Sequence, residues 1–358
     1  MADMEFFTES GRVDHFEFEK IDIHNLNKSL GNIEGVTGGS LTFDYLTDLK
    51  VSGSIDVVGA KFINNCLIRV WYKPTLNGKT KKIELCTCFA STEKLSYVNG
   101  VYSGTIDLKS VLARHTEDKL HKNYVLSKKS AVAYFKNIFK WLGGHYKIKN
   151  IRDKKFGKAV VMEYGKTPMD VLWKIADLVD GEITCDTHGR TVLQKYVKPK
   201  NRACSGTIPS GAISVVLPGL EVESSLAGTP NRAAVKFTYK PQGAKNEKTL
   251  YGIARAAKTN GVAYENVGRF ITETYDLSSM SPKTQARIDA IAKAKLASLA
   301  TTYTTYEMQC FFIPIKIGEV VRFKYDGIDI DALVESIDMQ LSVGGMMKVK
   351  LRKVRTNG

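Results

Sequence analysis

Ile313-Pro314-Ile315-Lys316-Ile317-Gly318-Glu319-Val320-Val321-Arg322-Phe323-Lys324-Tyr325 lies in the closing fifty residues of the chain, and the pattern that starts here decides the fold class. The turn signal Asp326-Gly327 follows, then residues 328–339 with apolar side chains at near-alternate positions. Gly344-Gly345 marks another turn before Met347-Lys348-Val349-Lys350-Leu351-Arg352. Alternation broken by Asp-Gly and Gly-Gly predicts antiparallel strands with one buried face. Four short strands cannot close a core alone, so they need partners from earlier in the chain, in a small barrel or sandwich.

Residues 1–115 offer such partners. Gly38-Gly39 opens a run through Tyr45, a second run covers residues 49–59, and a third covers 65–73. Asn77-Gly78 reads as the hairpin turn into residues 81–90, and Asn99-Gly100 as the turn within 95–108. Short strands at close intervals with Gly and Asn turns describe a barrel or sandwich.

Residues 116–200 change character. Ser127 is placed to cap a helix running to Leu142, with Val132, Phe135, Ile138, Phe139 and Leu142 on one face and Gly143-Gly144 ending it. Strands are expected over 145–151 and 158–164. Thr167-Pro168-Met169-Asp170 combines a cap, a proline at the first helical position and an acid at the third. That second helix is expected to bury Val171, Leu172, Ile175, Leu178 and Val179, to stop at Gly181, and to lead into a hairpin turning at Asp186-Thr187-His188-Gly189. Residues 198–202 read as a linker. Strands are expected again over 213–226, 231–239 and 269–275, and Ser281-Pro282 starts a third helix with Ile288, Ala292, Leu296 and Leu299 inward.

The expected fold is therefore a β-rich α+β multi-domain chain. A first antiparallel β-barrel spans 1–117, a small α+β domain 118–200, and a second β-barrel 201–358 with a helical insert near 281–300.

At 358 residues the chain has room for two to three domains with cores of their own. No apolar run approaches the ~20 residues of a membrane-spanning helix. The first fourteen residues are acidic and polar, without the basic-then-apolar order of a signal peptide, so synthesis in the cytosol is expected. Cys66, Cys86, Cys88, Cys185, Cys204 and Cys310 are scattered, mostly in strand-like contexts, which suits reduced thiols. Cys86 and Cys88 fall on one side of a strand, but no Cys-x-x-Cys or neighbouring His completes a metal site.

The formal charge of +15 points to an anionic partner: nucleic acid, an acidic protein surface or anionic cell wall. Its densest stretch runs from Lys119 to Lys158, opposed by Asp153. Lys128, Lys129, Lys136 and Lys140 form the candidate partner-facing patch, with Tyr134 and Trp141 nearby. No nucleic-acid motif accompanies them, so a solvated helix face is the reading preferred over nucleic acid.

No phosphate loop, His-Glu-x-x-His or Gly-x-Ser-x-Gly is found, and Gly35-Val36-Thr37-Gly38-Gly39 leads into a strand rather than a helix. The six histidines are isolated along the chain, and His115 and His121, flanked by Arg114, Lys119 and Lys122, are expected to be solvated. Carboxylate pairs such as Asp329/Asp331 and Asp177/Asp180 carry no glycosidase meaning without spatial support. The expectation is a protein with no catalytic residues, cofactor or metal.

Three stretches resemble the tail hub proteins of bacteriophages, a family spanning contractile baseplate hubs, tail-tip hubs and the hub part of type VI secretion spikes. They are residues 40–54, beginning Ser40-Leu41-Thr42-Phe43-Asp44-Tyr45; residues 167–196, a helix followed by a hairpin holding Asp186 and Gly189; and residues 314–352, similar to a closing P-x-x-x-G-[DE]-x-V … G-G-M-x-x-x-L-R segment. The resemblance implies a homotrimer with two related barrels per chain. Six barrels then match a hexameric tail tube above and a three-fold spike or fibre below. It implies as partners the tail tube or distal tail protein, the spike or fibre and the tape-measure protein. It also implies a virion or bacteriocin particle assembled in the host bacterial cytoplasm. With Gly358 just after the second barrel and no hydrolase or fibre extension, a contractile particle is favoured over a long-tailed one. The alternatives are a basic nucleic-acid-binding protein and a cell-wall hydrolase with an unrecognised site.

Overall fold

The computed structural model describes residues 4–9, 11–59, 63, 65–157, 159–208, 215–225, 229–241, 243, 246–277, 284–299 and 303–356. The first third holds α1 (Met4–Thr8), β1 (Phe16–Asp22), β2 (Ser29–Asn32), β3 (Val36–Asp44), β4 (Val51–Val58), β5 (Cys66–Tyr72), the two-residue pair β6 (Thr75–Leu76) and β7 (Lys79–Thr80), β8 (Ile83–Val98) and β9 (Val101–Ser110). The middle holds α2 (Ala113–Thr116), β10 (Tyr124–Leu126), α3 (Ala131–Leu142), β11 (Tyr146–Lys149), β12 (Val160–Met162), α4 (Pro168–Leu178), β13 (Gly181–Cys185) and β14 (Thr191–Lys195). Then come β15 (Cys204–Ile208), β16 (Glu221–Ser225), β17 (Arg232–Tyr239), β18 (Lys248–Arg255), α5 (Tyr264–Val267), β19 (Thr272–Asp276) and α6 (Gln285–Leu299). The chain closes with β20 (Tyr303–Phe311), β21 (Val320–Tyr325), β22 (Ile328–Gln340) and β23 (Met346–Thr356).

Two compact units result, one from residues 1–220 with 307–358, the other from Glu221–Tyr306. The fold is β-rich α+β, and the described strands form no closed barrel. The largest sheet follows one hydrogen-bonded path, β16-β20-β23-β22-β3-β4-β9-β8-β5-β1-β2, with β21 between β22 and β15, and the remaining described strands form smaller sheets. The closing strands thus find earlier partners: residues 336–340 of β22 pair antiparallel with residues 40–44 of β3. Across that seam the Thr42 hydroxyl donates to Asp338 at 2.6 Å.

The path contains an internal repeat. One series runs β3-β4-β9-β8-β5-β1, and a second runs β16-β20-β23-β22-β21-β15. In both, an antiparallel meander (β5-β8-β9 or β21-β22-β23) is flanked on each side by strands from earlier in the series. The last strand differs in direction, since β1 runs antiparallel to β5 while β15 runs parallel to β21. The other difference is an insertion: a short turn joins β3 to β4, whereas β17, β18, β19 and α6 separate β16 from β20.

Turn chemistry explains the hairpins. Asn77-Gly78, Asn99-Gly100 and Asp326-Gly327 all carry positive φ at both residues (48° and 74°, 51° and 84°, 40° and 80°), the I′ geometry that matches strand twist.

The middle segment builds its own core from α3 and α4, with Phe135, Ile138, Leu172 and Ile175 fully buried against Ile183 and Leu193. Two helix boundaries differ from expectation. Ser130, not Ser127, caps α3 by accepting from the Ala133 amide at 3.1 Å, because residues 124–126 are used as β10. Asp180, not Gly181, takes the left-handed position after α4 (φ 53°), which frees Gly181 to begin β13. Thr167 and Asp170 form the expected reciprocal cap of α4. Leu178 and Val132 are only half-buried.

In the unit Glu221–Tyr306, the sheet β18-β17-β19 packs one face on α6 through Val235, Phe237, Ile288, Ala292 and Leu296. Gly252 permits this approach: a Cβ there would stand 2.6 Å from the Ile288 side chain. The expected helix start Ser281-Pro282 lies outside the described residues, as do Ile213, Ser214 and Leu226 of the strand expected over 213–226 and the side chain of Leu299.

Candidate functional site

Lys128, Lys129, Lys136 and Lys140 are all exposed around α3, the last two one helical turn apart. Lys128 has a left-handed backbone (φ 59°) at the turn into the helix. The aromatic company expected for them is largely withdrawn. Tyr134 is buried, its hydroxyl donating to the Ser127 carbonyl at 2.8 Å and accepting from the Ser127 amide at 2.7 Å. Trp141 stays partly exposed, 6.4 Å from Tyr124. The patch is a row of ammonium groups without a stacking platform.

The denser chemistry lies where the middle segment meets the strands, at side chains that the sequence did not single out. Arg202, placed in a linker by sequence, follows a short 3-10 turn (Pro199–Asn201) and is fastened on several sides. Its guanidinium donates to the Tyr45 hydroxyl at 2.9 Å, to the Val197 carbonyl at 2.7 Å and to the Gly318 carbonyl, and lies 3.5 Å from Glu182. The Tyr45 hydroxyl in turn donates to Glu182 at 2.9 Å, and Gln194 donates to the other Glu182 oxygen at 2.9 Å. Burial, then the Glu182 charge, pushes the Tyr45 phenol up to about 12, so it stays a donor. Gly318 has φ 78°, and a Cβ there would stand 2.9 Å from the Tyr45 ring, so this contact needs glycine.

Beside this network lies a cavity of about 430 Å³ lined by Lys50, Cys86, Cys185, Pro314 and Met339 among others. Lys50 is buried with φ 63°, and its ammonium donates to the Tyr45 carbonyl at 2.5 Å. Burial pulls the Lys50 pKa down and pushes the Cys185 thiol up to about 12, so neither group is set up as a thiolate–ammonium pair.

A second cluster holds the 186–190 hairpin. Arg69, buried in β5, donates to Thr87 at 3.0 Å and to the Leu26 carbonyl at 2.9 Å, and lies 3.4 Å from Glu84. His188 sits 3.3 Å from Glu84 and 3.1 Å from Asn27. Thr87 donates to the Thr187 carbonyl at 2.8 Å.

His115, expected to be solvated, is 1% exposed. It packs edge-on against Phe139 at 5.2 Å and meets the Thr191 hydroxyl at 3.1 Å. Burial, then the nearby Arg114, pushes it down to about 4. The basic flanks Arg114, Lys119 and Lys122 misled the sequence reading, because α2 turns His115 inward beneath residues that arrive 24 and 76 positions later.

One member of each carboxylate pair is held in an ion pair. Asp329 receives two bonds from Arg322 at 2.8 and 2.7 Å, and Asp180 pairs with Lys154 at 2.5 Å. Among the described residues, no group of three or more His, Cys, Asp and Glu is arranged to hold a metal, and no helix is long and apolar enough to cross a membrane.

No protein-family model matches the sequence, and no curated protein matches it either. Solved structures do match. The chain is similar to the tail protein from Neisseria meningitidis MC58, with TM-score 0.64 and 11% identity over 95% of this chain and 97% of that one. It is similar to the 43 kDa tail protein of prophage MuSo2 from Shewanella oneidensis, with TM-score 0.62 and 12% identity over 94% and 97%. It is also similar to a chain of the Francisella PdpA-VgrG complex, with TM-score 0.58 and 10% identity over 98% of this chain and 59% of that one. The fold is that of tail hub proteins, including those related to type VI secretion.

Proposed function

We propose that a chain with the tail-hub fold along its length serves as a structural, non-enzymatic hub at the distal end of a phage-like tail. In this reading it is a trimeric adaptor that joins a hexameric tail tube to a central spike or fibre. The domains are a barrel-like first domain over 1–117, an α+β domain over 118–200 and a barrel-like second domain over 201–358. The internal repeat of strand order is the observation that carries the reading. A trimer of a chain that contains one motif twice presents six near-equivalent surfaces to a hexamer while staying three-fold elsewhere. The full-length likeness to phage and prophage tail proteins supports it. Its place is then the tail of a virion or bacteriocin, with the tube, spike or fibre and tape-measure proteins as neighbours, and Lys128, Lys129, Lys136 and Lys140 face solvent or an acidic neighbour.

The test is light scattering of the purified chain at tens of micromolar, combined with negative-stain images. A three-fold ring is expected, and a compact monomer counts against the hub.

A further inference from the structure

In the unit Glu221–Tyr306, alternate residues of the sheet point away from α6. Ala233, Val235 and Phe237 of β17 and Ala254 of β18 pack inward. Arg232, Ala234 and Lys236 of β17 therefore face outward, with Tyr251, Ile253 and Arg255 of β18. The register sets Arg232 directly opposite Arg255, then Ala234 opposite Ile253 and Lys236 opposite Tyr251. Like charges at directly opposite positions repel. Both guanidiniums are gathered over the Phe270 ring, 4.5 and 5.1 Å from its centre, while Tyr264 stacks on the same ring at 4.6 Å. Arg232 also donates to the Thr272 hydroxyl at 2.7 Å, which leaves that hydroxyl its own proton to donate. Among the described residues neither guanidinium has a carboxylate in ion-pair range, and the nearby Glu265 lies 4.0 Å from Lys258 instead. The residues of the unit outside the described set include no Asp or Glu.

We propose that this outward face binds a phosphate ester that carries a ring, with the phosphate between Arg232 and Arg255 and the ring over Ala234, Ile253 and Tyr251. Two guanidinium forks and a hydroxyl supply more donors than the two oxygens of a carboxylate can use. They suit the three free oxygens and double charge of a phosphate monoester. An anion held there also offsets the repulsion between the two facing cations. Successive rungs of outward residues lie about 7 Å apart along the strands. One rung from the arginines is the reach from phosphate to ring in a nucleoside or sugar phosphate. The rung at that distance is small and apolar, Ala234 with Ile253 (60% exposed), and Tyr251 beyond it is 62% exposed. A flat apolar step bordered by an aromatic side chain is a surface on which a base or a sugar ring can lie.

The site lies within one compact unit and does not depend on the trimeric reading, so a monomeric chain would still carry it. The experiment is calorimetric titration of the full chain with adenosine monophosphate, glucose 1-phosphate and inorganic phosphate. The parent should bind at least one ester roughly tenfold more tightly than inorganic phosphate. Preference for the nucleotide or for the sugar phosphate tells which ring the face takes. Arg255→Gln should weaken ester binding by roughly tenfold or more, and Arg255→Lys should recover only part of it, because an ammonium keeps the charge without the fork. Tyr251→Ser should bring ester affinity down to that of inorganic phosphate. Arg255 is exposed, so without ligand Arg255→Gln should melt at or above the parent's temperature, as one of two facing charges is gone. The preferred ester should then raise the melting temperature of the parent and not of the variant. Three results would each overturn the proposal: no ester binding by the parent, ester binding unchanged in Arg255→Gln, or inorganic phosphate binding as tightly as both esters.

Discussion

The Arg202 guanidinium donates to the Tyr45 hydroxyl at 2.9 Å, although 157 residues separate them. Tyr45 opens the turn after β3, Arg202 follows the middle segment, and Gly318 lies in the turn that leads into β21. Three stretches that are distant in sequence are thus pinned at one point. Arg202→Ala should lower stability by about 2 kcal/mol in chemical denaturation, because Glu182 loses its cation and the Gly318 carbonyl a donor. Arg202→Lys should recover little, since one ammonium cannot reach the Tyr45, Val197 and Gly318 oxygens together.

Stability should also depend on pH through His115. Its folded pKa of about 4 lies below the ordinary 6.5, so the unfolded chain binds the proton more readily between those values. Stability is then full above about pH 6.5 and falls as pH drops towards 4, by about 3 kcal/mol at most. His115→Gln should flatten that part of a stability-versus-pH curve. An unchanged slope would show that His115 is not held neutral.

Close backbone approach predicts a third outcome. A Cβ on Gly53 would stand 2.2 Å from the Ser40 carbonyl oxygen across the β3–β4 pair. Gly53→Ala should cost about 3 kcal/mol or more, because backbone cannot step aside as a side chain does. Gly206→Ala, with nothing within 4 Å, should leave the melting temperature nearly unchanged.

The lysine row offers a fourth. Replacing Lys129, Lys136 and Lys140 with Gln keeps helix propensity and removes three exposed charges. Folding and oligomer size should not change, and DNA retention at low salt should fall only modestly. Submicromolar DNA binding near physiological salt, lost in the triple variant with a salt dependence flatter by about one unit of slope per contact, would favour a nucleic-acid role instead.

What could be read from sequence was local. Asn99-Gly100 and Asp326-Gly327 announce hairpins because their backbone must enter the left-handed region, and Thr167 with Asp170 announces a helix because both cap partners lie within one turn. What could not be read depends on distant neighbours. Nothing beside His115 indicates Thr191 or Phe139, and nothing near Arg202 indicates Tyr45. The choice of Ser130 over Ser127 turned on β10 pairing with β12, an event some thirty-five residues downstream. The order of the closing strands was legible, but their seam with β3 was not, because register between far segments leaves no local mark.

That seam has a consequence during synthesis. Residues 40–44 emerge from the ribosome about three hundred residues before their partners at 336–340. At about 5–20 residues per second, β3 waits on the order of 15–60 s with one edge unpaired. The nascent first half is therefore complete in sequence yet unfinished in structure, and chaperone capture or premature pairing with a neighbouring nascent chain competes for the same edge until the last strands arrive.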